Sequence, residues 1–172
     1  ELCADYARTG LAVVAVVEGT AMGGGFGLAC VADVTIAGES AMFRLPETSL
    51  GVVPAQIAPY LVERLGTSQA RRLAVTGGRI AAQAALALGL EHELHADGEL
   101  DAALQRVLHD ILQNAPQAVA ATKALIAKAR LHSPASLVQE AAEVFSRAAL
   151  SAEGNEGQTA FLQKRKAKWM PQ

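Results

Sequence analysis

Residues 11–25, LAVVAVVEGTAMGGG, decide the fold. The first eight, 11–18, form an unbroken and largely β-branched run that reads as a strand buried on both faces. Residues 19–25 (GTAMGGG) read as a glycine-dense turn, 26–32 (FGLACVA) as a short apolar helix, and 33–37 (DVTIA) as a second buried strand. Strand, turn, helix and strand in that order make an α/β unit.

Outward from this unit, the chain looks loop-like after Glu39, through Pro46 and Pro54. A helix is predicted over 56–65. A second begins at Thr67 and is stopped by Gly77-Gly78, and a third covers 81–88 ahead of Gly89. LEHEL (90–94) reads as a short strand. Helices follow over 99–114, 116–131 with Pro116 in a favourable first-turn position, 134–150 and 156–166. Residues 1–98 are thus expected to form a β-containing core and 99–172 a helical region. At the other end, Glu1–Arg8 reads as the end of a helix. A domain seldom opens there without methionine, so further sequence upstream is expected.

Composition narrows the class. Apolar residues make up 51% and aromatics 4%, so alanine, leucine and valine must fill the core. A net charge of −2 argues against a nucleic-acid partner. The apolar run at 11–17 is too short to span a bilayer, and no signal peptide precedes it, so no membrane partner and a cytoplasmic location are expected. Cys3 and Cys30 make no disulfide framework and read as free buried thiols. The four histidines lack metal-ligand spacing, and His92 and His95 have no evident carboxylate or cysteine partner, so no metal is expected.

Two features carry candidate chemistry. Gly23-Gly24-Gly25 permits positive φ and close backbone approach. If a helix starts there, the N–H groups of Gly24 and its neighbours point outward at a positive dipole end, which suits an oxyanion or a phosphate. The pattern is neither G-x-G-x-x-G nor a P-loop, and a plain tight turn is the bland alternative. The second feature is Glu47, in Leu45-Pro46-Glu47-Thr48. Its neighbours are apolar or small, which suits a general acid–base, although a solvated loop glutamate has the same local sequence.

Together these features sit in AMGGGFGLACVADVTIAGESAMFRLPETSLGVVPAQIAP (21–59), which resembles the crotonase superfamily of enoyl-CoA hydratases and isomerases. The resemblance continues in Ala74-Val75-Thr76-Gly77, Arg79-Ile80, AALALGL (84–90) and EGQTAFLQKRKAKW (156–169). It implies a spiral ββα core whose N-terminal strands lie upstream, a helical trimerisation region, and a trimer or a hexamer of two stacked trimers. It also implies an acyl-CoA substrate, with coenzyme A part of the substrate and no separate cofactor. Two backbone N–H groups would hold the thioester oxygen. Gly24 matches the second donor, while the first, with most of the adenine-binding loop, would lie upstream.

Of the two glutamates that hydratases use, the second matches Glu47, and the first falls at Gly27. Glu47 alone would then act as base toward water and as acid toward the α-carbon. One-carboxylate sites also occur among the family's isomerases, so Δ3,Δ2-enoyl-CoA isomerisation is the alternative. GVVPAQIAPYLVERLG (51–66) favours hydration and looks like the branch acting on 3-methylglutaconyl-CoA or isohexenylglutaconyl-CoA. For the second carboxylate of such a substrate, Gln56 is a candidate donor and Arg44 a candidate cation, with Gly23, Gly25 and Pro46 beside them. Phe161 and Lys164 match positions that contact the adenine and 3′-phosphate of CoA. Two readings from other classes remain: an RNA-binding family member, motivated by the basic cluster at 164–168, and a non-catalytic subunit, motivated by Gly27.

Overall fold

The computed structural model describes residues 2–171, and Glu1, expected in a helix end, lies outside them. The chain divides into two compact units. One holds Val13–Arg106 with the residues before Arg8; the other holds Arg8–Ala12 with the residues after Arg106. The division falls inside a helix rather than before residue 99.

The first unit opens with α1 (Leu2–Arg8) and is built on two three-stranded sheets. In one, β1 (Val14–Val17), β3 (Val34–Gly38) and β6 (Glu93–His95) run parallel, with Val14 in register with Val34 and Ile36 with Glu93. In the other, β2 (Thr20–Met22) runs parallel to β4 (Met42–Arg44), which pairs antiparallel with β5 (Arg79–Ala81). Three helices belong to this unit: α2 (Gly24–Val31), which packs on β1, β2 and α3, the long α3 (Ala58–Thr76), and the short α4 (Ala82–Ala87), which packs on β4, β5 and β6.

Three strands depart from the sequence expectation. The glycine turn begins with β2, and β4 and β5 occupy segments predicted as loop and helix boundary. Each is three residues long, and only Phe43 and Ile80 turn fully into the core. β1 is half-buried over Val14–Val16 rather than buried on both faces. The predicted break between the helix over 56–65 and the one from Thr67 is a kink within α3, where Gly66 takes φ 72° and ψ 161°.

The core matches the composition: Phe26, Ile36, Phe43, Leu45, Leu61, Leu73 and Leu90 are essentially inaccessible, with alanines between them. The Phe26 and Phe43 rings meet at 5.6 Å and join α2 to β4. Cys30 is buried as expected, whereas Cys3 is only partly so.

In the second unit, α5 (Leu100–Leu112) ends and α6 (Pro116–Ala129), α7 (Pro134–Ala149) and α8 (Ala152–Leu162) follow. Ser133 and Ser151 accept N–H groups of the first turns of α7 and α8. The Ser151 cap starts α8 earlier than the predicted 156, and the helix ends at Leu162. No helix among the described residues is long and apolar enough to cross a membrane.

One polar group stands out in this core. Glu91 is 2% exposed, and neither carboxylate oxygen has a hydrogen-bond partner among the described residues. Arg64 turns instead to the Thr35 hydroxyl (2.7 Å) and the Ala32 carbonyl (3.3 Å). Burial pushes the Glu91 carboxyl from 4.5 up to about 7, with Arg64 pulling the other way. The folded state therefore holds a proton that the unfolded chain releases. Stability from this group is full below pH 4.5 and is lost as pH rises through 7. Glu91→Gln should melt like the parent near pH 4 and be more stable at pH 8, by about 1–3 kcal/mol, the usual cost of an unpaired buried group. Thermal denaturation at the two pH values checks this; a pH-independent difference contradicts it.

Candidate active site

The site starts where β2 becomes α2. Gly23 has φ 54° and ψ −120°, a conformation open to glycine, and donates its N–H to the Arg44 carbonyl on β4 (3.2 Å). The first intrahelical bond of α2 runs from Gly27 N–H to the Gly23 carbonyl (3.1 Å). The N–H groups of Gly24, Gly25 and Phe26 precede it and have no acceptor within the helix. Gly24 and Gly25 are exposed, with nothing within 4 Å of where a Cβ would stand. Donors at a positive helix end facing open space suit an oxygen that gains negative charge.

Glu47 opens a single 3-10 turn, Glu47–Leu50, closed by the N–H of Val52 on the Glu47 carbonyl (3.0 Å) and of Gly51 on that of Thr48 (3.3 Å). The turn is tied to the end of α3. The Thr48 hydroxyl donates to the Ala74 carbonyl (2.8 Å), and Leu45 N–H to the Gly78 carbonyl (3.2 Å). Carbonyls in the last turn of a helix lack intrahelical partners, so the helix end and the turn complete each other. Gly77, left-handed at φ 60°, ends α3 beside this contact.

Glu47 is half-buried. Its Oε1 lies 3.2 Å from where a Cβ on Gly23 would stand, and its Oε2 is buried without a partner among the described residues. The structure thus brings together Glu47 and the Gly23-Gly24 turn, which lie more than twenty residues apart in the chain. A carboxyl group beside free backbone donors can move a proton while the donors hold an anion. Leu50, Val52 and Val53, just after Glu47, are exposed apolar residues that the sequence expectation overlooked. Their position in one run beyond Pro46-Glu47 was the available signal.

The other candidates are less tightly joined. Pro46 is half-buried and precedes Glu47; Gln56 is exposed. Arg44 is half-buried, on the face of β4 opposite Phe43 and in register with Met22 and Arg79. Its link to the site is its backbone carbonyl, through Gly23. Phe161 (83% exposed) and Lys164 belong to the second unit. In the nearby basic cluster, Arg165 pairs with Glu156 (2.6 Å) and Lys168 lies 3.8 Å from it, so these two cations are already matched.

His95, expected without a carboxylate partner, has Glu93 at 2.8 Å. Hydrogen bonds from Arg106 and then His95 hold the Glu93 carboxyl down at about 2. No group of three or more His, Cys, Asp or Glu that could hold a metal occurs among the described residues. A groove of about 880 Å³ lies in the second unit, between Ala115 and Trp169, and includes none of the residues of this site.

The chain is similar to several known proteins. The sequence profile described as enoyl-CoA hydratase/isomerase matches residues 3–172. A 2,3-dehydroadipyl-CoA hydratase of Escherichia coli (strain K12) is 37% identical over 156 residues, 89% of this chain and 60% of that protein. The enoyl-CoA hydratase ACTT6 of Alternaria alternata is 39% identical over 118 residues, 68% of this chain and 40% of that protein. Among solved structures, Pseudomonas aeruginosa AtuE superposes with a TM-score of 0.95 at 48% identity, covering 99% of this chain and 66% of that one. An enoyl-CoA hydratase/isomerase from Marinobacter aquaeolei superposes with a TM-score of 0.94 at 47% identity, covering 98% and 64%. The chain therefore spans between two fifths and two thirds of these proteins.

The glycine turn makes a contrast that can be measured. Gly23→Ala forces a side chain into a strained conformation against the Glu47 carboxylate and should cost about 1–3 kcal/mol in urea denaturation. Gly25→Ala meets nothing and should stay within about 1 kcal/mol of the parent or gain slightly. Equal effects at the two positions would contradict the geometry.

Proposed function

From the premise that this chain belongs to the enoyl-CoA hydratase/isomerase family, we propose that it is the Glu47-bearing part of an enoyl-CoA hydratase, a hydro-lyase acting on an α,β-unsaturated acyl-CoA. The single observation that carries this reading is the Glu47 carboxyl set against the Gly23-Gly24 turn. In the proposed step, Glu47 takes a proton from water as the water oxygen bonds to C3. Electron density moves onto the thioester oxygen, where the Gly24 N–H stabilises it. The carboxyl group then returns its proton to C2, which completes the addition. Preorganised donors of this kind are each worth roughly 10²–10³ in rate.

The substrate proposed is a branched glutaconyl-CoA, isohexenylglutaconyl- or 3-methylglutaconyl-CoA, with Arg44 and Gln56 meeting its second carboxylate. Two observations support it: Arg44 abuts the site through Gly23, and Leu50, Val52 and Val53 offer apolar surface beyond Glu47. Phe161 and Lys164 are proposed to contact the adenine and 3′-phosphate of CoA. Exposed Phe145, Leu150, Phe161 and Leu162 in the second unit fit a protein that packs against copies of itself, as a trimer or a dimer of trimers. One observation favours a second reading: position 27 bears no carboxylate. A one-carboxylate site is also suited to Δ3,Δ2-enoyl-CoA isomerisation.

Glu47→Gln should lower kcat by about 10²–10⁴ with an unchanged circular dichroism spectrum. Turnover is followed as loss of conjugated thioester absorbance from a 2-enoyl-CoA. Unchanged turnover removes Glu47 from the mechanism, and a parent protein that instead generates this absorbance from a 3-enoyl-CoA is an isomerase. Arg44→Met should lower kcat/KM about 10-fold or more for a thioester with a distal carboxylate, the cost of an unpaired charged group. It should leave the uncharged analogue unaffected; equal losses would take Arg44 out of substrate recognition.

A further inference from the structure

We propose that Arg64 positions α2 from the end opposite its glycine turn, and that the buried Glu91 carboxyl competes with that helix end for Arg64. The last carbonyls of a helix lack partners within it, and a cation near them is favoured by the helix dipole. Arg64, on α3, meets both needs. Its Nη2 donates to the carbonyl of Ala32, the residue that caps α2 (3.3 Å), and to the Thr35 hydroxyl (2.7 Å). That hydroxyl donates in turn to the carbonyl of Ala29, in the last turn of α2 (3.4 Å).

The rest of the guanidinium is uncommitted. Its Nε is buried with no hydrogen-bond partner among the described residues. Its Nη1 lies 3.5 Å from His92 Nε2, but Nδ1 of that ring already accepts the Thr35 N–H (2.9 Å). A neutral His92 then carries its proton on Nε2, so two donors face each other and no bond forms. Glu91 is the matching acceptor. It directly precedes His92, whose own N–H donates to the Thr35 carbonyl (2.9 Å), and both its carboxyl oxygens are buried and unpaired among the described residues. Unused donors on Arg64 and unused acceptors on Glu91 therefore adjoin the same Thr35–His92 pairing.

One proton decides between the two arrangements. While Glu91 is neutral, which burial ensures up to about 7, Arg64 stays on α2. Above that pH an ionised carboxylate outcompetes neutral oxygens for a guanidinium, because a bond charged at both ends is the stronger. The other ionisable groups around the pair do not switch. Burial and then Arg64 lower the pKa of His92 from 6.5, against a smaller opposite pull from Glu93. Burial pushes the Cys30 thiol of α2 up to about 12. β3 and α4, to which the backbone of Glu91 and His92 is bonded, carry no ionisable side chain.

The consequence falls on the other end of α2. Its eight residues span about 12 Å and begin with the exposed N–H groups of Gly24 and Gly25. A helix released at Ala32 holds those donors less firmly, which lowers kcat rather than substrate binding. Arg64 is thus a positioning residue. This catalytic consequence rests on the hydratase reading above; the exchange of Arg64 does not.

Carbon-13 and nitrogen-15 NMR tests the exchange without any substrate. Between pH 5 and 9, the Glu91 carboxyl, Arg64 Nε and the Ala32 carbonyl carbon should shift together, with one midpoint near 7. In Glu91→Gln the latter two should stop shifting. An Ala32 carbonyl that stays fixed while Glu91 titrates, or a Glu91 that does not titrate in this range, overturns the exchange. For the catalytic consequence, kcat with 2-butenoyl-CoA is compared in the parent and in Glu91→Gln. The ratio of parent to variant should be about 1 at pH 6 and fall about 3-fold or more by pH 8.5, with KM matched. A ratio that stays constant with pH overturns the catalytic consequence. A parent that turns over no enoyl-CoA defeats the hydratase reading and this consequence with it, while the NMR titration still decides the exchange.

Discussion

A carboxylate pressed against a glycine turn is the contact on which the rest of the first unit depends. Glu47 comes that close to position 23 because no side chain stands there. Gly23 in turn can hold its positive φ, hand its N–H to Arg44 and still start a helix. Everything else fixes the two partners. The Phe26–Phe43 contact joins the helix to the strand that leads to Glu47, and Thr48 ties the Glu47 turn to the end of α3.

This arrangement holds polar groups away from their ordinary partners. Glu47 Oε2 is buried and unpaired among the described residues, and the first N–H groups of α2 precede any intrahelical bond. Such groups cost roughly 1–3 kcal/mol each when left unsatisfied, and they persist where the surrounding fold over-determines them. Here the over-determination is visible in the short bonds around Glu47, all from backbone or from Thr48 and Ser49. Glu91 is a fully buried carboxyl outside this site, and its cost falls on stability at high pH.

Much of this was legible in the sequence, for physical reasons. Helices α5–α7 have lengths and proline boundaries that the periodicity shows directly, whereas α3 was read as two helices on either side of Gly66. β2, β4 and β5 did not show, because three residues are too few for a strand pattern, and only Phe43 and Ile80 among them are deeply buried. Glu47 and Gly24 were found through family resemblance; local sequence alone left both bland. Why Gly27 is glycine was not readable at all, because a Cβ there would collide with Ile57, thirty residues away. The same holds for Arg64, whose hydroxyl partner Thr35 comes from a different element.

The most direct test is a crystal structure of the protein with an unreactive acyl-CoA analogue bound. The thioester oxygen should lie within about 3 Å of the Gly24 nitrogen. The Glu47 carboxyl should stand next to the carbons that correspond to C2 and C3. An analogue bound with its thioester away from α2, or a Glu47 side chain turned out into solvent, would contradict this geometry.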